Sequence, residues 1–421
     1  MNFSRLIYQS IFWRGCNFFS AFLLNLFMAR YFEATLMGQI SFFLAVLSFV
    51  ILVGSLNFEA SLVYFSADNK QPIHQLLALA ASWIVVYCAA CWYLSGWITE
   101  KYMGGFATSV YSVFAFIYLA AFIFINYYNA LFFGKKNFTT PHIVASIVNL
   151  LLAGTIVALH MAGDKHYVFT YFLPLYFVVF LAQGILLLIL FHARYKISLH
   201  FKWPGKESFK TILRYTGYML VTNLLVFLLY RADYWLLRYL NDPSRQLYEL
   251  GNYIQVSKMA HIFMLLSSTA GTVVFSTSAA GQSKPESLAR LMRGLLLIGG
   301  GSLLLIAATG WFVFTALYGD TYKLVYPCLL IVMPGIMALM LVSVTANYLS
   351  GIGKPRYNLQ GVLLGLVIMV VGDYILIPRY GIYAAAIMSS VGYIVYSAYM
   401  LVHFTSTTHF TWHSLLKFKR A

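Results

Sequence analysis

A few ionisable side chains stand inside stretches that are otherwise apolar, and these residues could do chemistry. Arg14 lies in the run Ile11 to Met28, with Asn17, Ala21 and Asn25 at +3, +7 and +11. At 100° per residue all four share one helix face, a polar stripe with a cation on a greasy helix. Further on, Arg231 and Arg238 are seven apart with Tyr234 between them, while Asp233 points to another side of the same helix. Lys258 follows in the next apolar run, at about the depth of Arg231 and Asp233. Ionisable groups are costly inside hydrocarbon, so each is a functional candidate. Cations lining a wet cavity suit an anionic group such as a phosphate. Arg14, Asn17, Asn25, Arg231 and Lys258 are therefore the candidate substrate-binding set, and Asp233 is the candidate for tuning that charge or taking a coupling proton. A plainer reading stands beside each: Arg14 can snorkel to the membrane surface, and Asp233 and Lys258 can form a purely structural ion pair.

The elements that must position these residues are membrane helices. Of 421 residues, 61% are hydrophobic and 10% charged, against roughly 25% charged in soluble domains. Apolar runs of about twenty residues recur along the chain, each long enough to cross roughly 30 Å of hydrocarbon. Their punctuation predicts twelve helices, near 7–30, 38–66, 74–97, 107–133, 139–161, 167–191, 208–239, 249–280, 289–317, 322–350, 357–377 and 381–404. The stretch 192–207 reads as a basic linker between an N-lobe (1–191) and a C-lobe (208–405), followed by a basic tail (406–421). With a cytoplasmic N-terminus, seventeen basic residues fall inside and six outside. This bias is the positive-inside signal and places both termini in the cytoplasm. The net charge of +16 is then mostly topology and not a nucleic-acid footprint.

The two halves echo each other. Arg30-Tyr31-Phe32 followed by Met37-Gly38-Gln39 matches Arg238-Tyr239-Leu240 followed by Leu250-Gly251-Asn252, and Asn129 to Gly134-Lys135 matches Asn347 to Gly353-Lys354. Two parallel copies of six helices are a known transporter plan, with the substrate site between the copies.

Several segments resemble the oligosaccharide flippases of the MOP superfamily, the Wzx type, which are related to MurJ and the MATE exporters. Met28 to Ser41, with Ala29-Arg30 and Met37-Gly38-Gln39, resembles the corner between the family's first two helices. Arg231-Ala232-Asp233 and Leu250-Gly251-Asn252-Tyr253 resemble its helix-seven aspartate and the opening of helix eight. Asn347 to Pro355 and Leu376-Ile377-Pro378-Arg379-Tyr380-Gly381-Ile382 resemble its N…GKP and LIPxYG segments. Departures are Glu33 and Tyr383 in place of glycines, and Asp373 where an asparagine is common. The resemblance implies an all-α integral membrane fold of about twelve transmembrane helices in two six-helix lobes around a central cavity. It implies a transporter, not an enzyme, which moves a polyprenyl-diphosphate-linked oligosaccharide (an O-antigen, capsule or exopolysaccharide repeat unit) across a bacterial inner membrane by alternating access. H+ or Na+ is the implied coupling ion, a polysaccharide polymerase and chain-length proteins are the implied partners, and no cofactor is expected. Cavity arginines and a helix-eight cation in MurJ-like proteins support Arg14 and Lys258.

Two other readings stay open. A MATE-type multidrug or cation antiporter needs an acidic or aromatic cavity, but the membrane-embedded charges are five basic (Arg14, Arg214, Arg231, Arg238, Lys258) and three acidic (Glu59, Asp233, Asp373). A membrane glycan polymerase usually needs sizeable outer loops, and the longest here is roughly ten residues by this helix assignment. There is no Walker A or HExxH sequence. Cys88 and Cys91 form a CxxC inside an apolar run, which reads as small packing residues and not as redox or metal chemistry. The stripe His142, Ser146, Asn149 reads as helix–helix hydrogen bonding.

Overall fold

The computed structural model describes the backbone of residues 3–66, 72–102, 108–163, 165–197, 202–279 and 281–408, and side chains for most of these, from residue 12 onward. The basic tail beyond 408, and Lys70, Asp68 and Asp164 of the charge count, lie outside the described residues, as do 198–201 of the linker.

Every regular element among the described residues is helical. The first is α1 (Phe3–Gly54), a 52-residue helix interrupted at Glu33, where φ is 60° and ψ 171°. At 1.5 Å per residue it would be about 78 Å long, more than twice a bilayer core, so the interruption makes two crossings of it. A break at Ser55-Leu56-Asn57 separates it from the short α2 (Phe58–Ser66). Leu56 and Asn57 both take positive φ, 53° and 54°, and Ser55 Oγ accepts the Asn57 N–H at 3.2 Å. The sequence predicts one helix over 38–66. Gly54 immediately precedes this break and Asn57, a residue type that tolerates positive φ, ends it.

There follow α3 (Ile73–Tyr102), α4 (Thr108–Gly134), α5 (Thr139–Ala162), α6 (Lys165–Tyr195), α7 (Lys206–Leu240), α8 (Gln246–Ala279), α9 (Pro285–Tyr318), α10 (Val325–Gly351), α11 (Arg356–Tyr380) and α12 (Ile382–Thr408). Eleven helices among the described residues are long and apolar enough to span a membrane. Counting α1 twice gives twelve passes.

The chain forms two compact units, residues 1–33 with 42–224 and residues 34–41 with 225–421. The first is built on α4, which packs against α2, α3 and α6. Its interior is aromatic: the rings of Tyr118, Tyr176, Phe177 and Phe180 lie 5.0–6.2 Å apart in edge and stacked pairs. In the second unit α10 packs on α8 and α12, and α11 on α12. Small residues set that last contact. A methyl on Gly365 would lie 2.7 Å from the Gly392 carbonyl oxygen, and one on Gly392 would lie 2.9 Å from that of Gly365. This is the close helix approach expected of glycine in membranes.

Candidate functional site

In the first unit the polar stripe of α1 meets the polar stripe of α5. Asn149 Nδ2 donates to Asn17 Oδ1 at 3.4 Å and to Ser20 Oγ at 3.2 Å. Ser20 Oγ turns back to the Asn17 carbonyl at 2.8 Å, and Ser146 Oγ to that of His142 at 2.7 Å. Arg14, half-buried, stands one turn before Asn17, and its charge reaches His142. Asn25, two turns beyond Asn17, is also half-buried. Asn17 thus serves helix–helix contact, as the α5 stripe was expected to do.

In the second unit α7, α8, α11 and α12 bring together two kinds of group. Two residues on a helix differ by 200°, so Arg231 and Asp233 face different neighbours. Arg231 Nη1 donates to Tyr234 Oη at 2.5 Å, with its guanidinium carbon 4.9 Å from the Tyr234 ring centroid. Its charge acts on Lys258 and on His261, one turn further along α8. His261 Nδ1 is hydrogen-bonded to the Ser257 carbonyl at 2.7 Å, and its ring stands edge-on to Tyr230 at 5.5 Å. Arg231, Lys258 and His261 are all half-buried. Basic groups gathered in a low-dielectric setting repel one another, and an anion relieves that cost.

Asp233 is buried and belongs to a different network. Tyr253 Oη donates to its Oδ2 at 2.5 Å, Ser389 Oγ donates to the same atom at 3.0 Å, and the two hydroxyls are 2.8 Å apart. Asp233 makes no hydrogen bond to Lys258: its Oδ1 accepts none, and neither oxygen of the fully buried Asp373 has a partner. The two carboxyl groups are near enough for their charges to interact. Asp233 keeps two donors on one oxygen, whereas Asp373 has none, so a buried carboxylate at Asp373 beside a second carboxyl is costly to ionise. No cluster of three or more His, Cys, Asp or Glu able to hold a metal ion occurs among the described residues.

The structure therefore puts Lys258, His261 and Asp233 all within reach of the Arg231 charge, hydrogen-bonds Asp233 to Tyr253 and Ser389 and not to Lys258, and adds His261, Tyr253, Ser389 and Asp373. Sequence reasoning missed these four as site residues. Asp373 carried a usable signal, an acid in the middle of an apolar run. The serine and the tyrosine carried none.

The polysaccharide biosynthesis protein family model matches residues 14–282, a span that contains Arg14, Arg231, Asp233, Lys258 and His261. Among solved structures, the lipid II flippase MurJ in an inward closed conformation aligns with a TM-score of 0.72 at 15% identity, over 96% of this chain and 89% of that one. An aspartate-to-asparagine variant of the Vibrio cholerae MATE transporter VcmN aligns with a TM-score of 0.68 at 12% identity, over 98% and 99%. A multidrug resistance MATE family transporter of the MOP superfamily, inward-facing, aligns with a TM-score of 0.63 at 16% identity, over 95% and 96%. The fold is thus that of MurJ and the MATE proteins. Among curated proteins no match is found.

Proposed function

Since the chain belongs to the polysaccharide biosynthesis protein family, we propose that it is a flippase carrying a polyprenyl-diphosphate-linked oligosaccharide from the cytoplasmic to the periplasmic leaflet of a bacterial inner membrane. The observation that carries this reading is the Arg231–Lys258–His261 cluster, three basic side chains held half-buried in a membrane helix pair. A diphosphate is the kind of group such a cluster stabilises, and Arg14 with its polar stripe supplies a second cation in the other unit. In this reading the two units alternate access. Arg14 meets the phosphates from the cytoplasmic side, and Arg231 or Lys258 holds them at the outward-open stage. Asp233, with Asp373 in electrostatic reach, takes the coupling H+ or Na+, an ion gradient being the energy source in this reading. The charge bias of the loops supports cytoplasmic termini.

The test is restoration of surface glycan in a strain lacking the protein. Arg14→Ala and Lys258→Ala, with membrane abundance checked, are expected to block it. Normal glycan from both variants would overturn the assignment. The buried carboxyl pair also suits a MATE-type cation antiporter. Protection against organic cations, with glycan unaffected by deletion, would favour that second reading.

A further inference from the structure

A groove of about 290 Å³ opens in the first unit where α1 ends, α2 and α3 run side by side, and α7 begins. This is near the lower end of small-molecule sites, about 300–1,000 Å³. Phe58, Leu79, Phe209 and Leu213 supply much of its wall, with Trp83 and Trp203. Of the four lining residues with a polar side-chain atom, Ser82, Trp83 and Thr216 have it engaged within the protein, and the fourth, Trp203, stands at the exposed mouth. Trp83 Nε1 donates to the Gly54 carbonyl at 2.8 Å, and Ser82 Oγ to that of Ala78 at 2.8 Å. Thr216 Oγ1 meets the Ile212 carbonyl at 2.8 Å and Ser61 Oγ at 2.6 Å. Tyr64 stacks on Tyr215 at 4.8 Å, fixing the α7 wall to α2. A sugar or a head group finds little to bond there, and a hydrocarbon chain fits.

The rim says what kind of molecule carries that chain. On a helical projection of α7, the groove residues Ile212, Thr216, Phe209 and Leu213 cover an arc of about 100°. Lys206, Lys210 and Arg214, spaced by four, occupy the adjoining arc of about 80°, and all three are exposed. Lys202 lies just before them, and Glu207 is the one acid in this turn. Trp203 is 60% exposed at the mouth, its ring 6.4 Å from that of Phe209. An indole at the lip and lysines beside it are the features of a membrane interface. We propose that this groove binds one acyl chain of an anionic glycerophospholipid, with the lipid phosphate held by Lys206, Lys210 and Arg214. The proposal does not rest on the transport reading, because none of its residues belongs to the clusters described above.

The test uses purified full-length protein and the quenching of tryptophan fluorescence by lipids with brominated acyl chains, since Trp83 and Trp203 both line the groove. Brominated phosphatidylglycerol is expected to quench at a several-fold lower mole fraction than brominated phosphatidylcholine, each cation near an anionic lipid being worth about fivefold. The combined variant K206Q/K210Q/R214Q, changed only at exposed positions, should bring the two curves together. Ser82→Phe, which fills the groove from an exposed position, should weaken quenching by both lipids. Equal quenching of the unaltered protein by both lipids, or a glycerol-lipid preference that survives the triple change, overturns the proposal. So does displacement of the brominated lipid by a trace of polyprenyl phosphate, which would assign the groove to a prenyl chain.

Discussion

Gly38 and Gly251 meet backbone to backbone. A methyl on Gly38 would lie 2.2 Å from the Leu247 carbonyl oxygen, and a methyl on Gly251 would lie 1.9 Å from that of Ala34. These are the glycines of the two repeated segments Met37-Gly38-Gln39 and Leu250-Gly251-Asn252, so equivalent positions of the internal repeat pack on each other within one unit. Helix propensity favours alanine over glycine by about 1 kcal/mol. Overpacking against backbone costs about 1–3 kcal/mol or more, and backbone cannot swing aside as a side chain can. Gly38→Ala and Gly251→Ala are therefore expected to lower the melting temperature in detergent. Gly294→Ala, with nothing within 4 Å of its added methyl, should leave it unchanged or raised.

Glu33 stands where the first helix turns, at φ 60° and ψ 171°, a conformation close to glycine-only territory. Holding a side chain there costs about 1–3 kcal/mol. The extra freedom of glycine in the unfolded chain takes back about 0.5–1 kcal/mol. Glu33→Gly should raise thermal stability, as measured by the temperature at which the detergent-solubilised protein aggregates. A drop instead would mean that the carboxylate contributes more than its backbone costs.

Asp233 and Asp373 differ in what surrounds them, and their amide variants should differ too. Asp233→Asn keeps the size but gives Tyr253 and Ser389 a neutral acceptor, and it removes the group proposed above to take the coupling ion. Transport by Asp233→Asn is expected to be slow and to lose its dependence on pH. Unchanged pH dependence would exclude Asp233 as the coupling group. Asp373→Asn removes a buried ionisable group that lies within electrostatic reach of Asp233, so this variant should fold at least as well as the parent.

Glu249 ties two loops together. It accepts the Ile382 backbone N–H at 2.8 Å and Asn241 Nδ2 at 2.7 Å. Gly381, at φ 54°, passes so close that a methyl there would lie 2.3 Å from Glu249 Oε2. Glu249→Ala strands two buried donors and should cost about 1–3 kcal/mol for each. Arg245→Ala removes only a 3.8 Å ion pair made to Glu249 by an exposed guanidinium and should cost under about 1 kcal/mol. In the same loop the Ser244 hydroxyl and N–H hold the Asp242 carboxyl below its usual range, so the turn should keep these bonds as pH falls until below the point at which free aspartate titrates.

Much of this was readable in advance. Apolar run length gave the number of crossings, and the segment Leu376 to Ile382 pointed to the fold through the one turn where Gly381 is sterically required. Residues spaced by three, four or seven share faces in the sequence, but the spacing points Asn17 toward a cavity and does not show that it meets Asn149. Contacts across long separations were not readable. A serine or tyrosine in an apolar helix looks the same whether it bonds its own turn, as Ser146 does, or a distant acid, as Ser389 does. The Ser55–Asn57 break was hidden for a different reason: Gly54 and Asn57 are weak signals inside an apolar run, and the positive φ of Leu56 has no sequence signature.

The bond between Asp233 and Ser389 spans 156 residues of chain. At synthesis rates of about 5–20 residues per second, the serine emerges some 8–30 s after the acid. The aspartate enters the insertion machinery on α7 long before its last partner exists. Tyr253, only 20 residues later, can shelter it in the interval. Tyr253→Phe should therefore lower yield during biogenesis by more than it lowers the stability of the finished protein, a difference that pulse-labelling of the nascent chain can separate from melting.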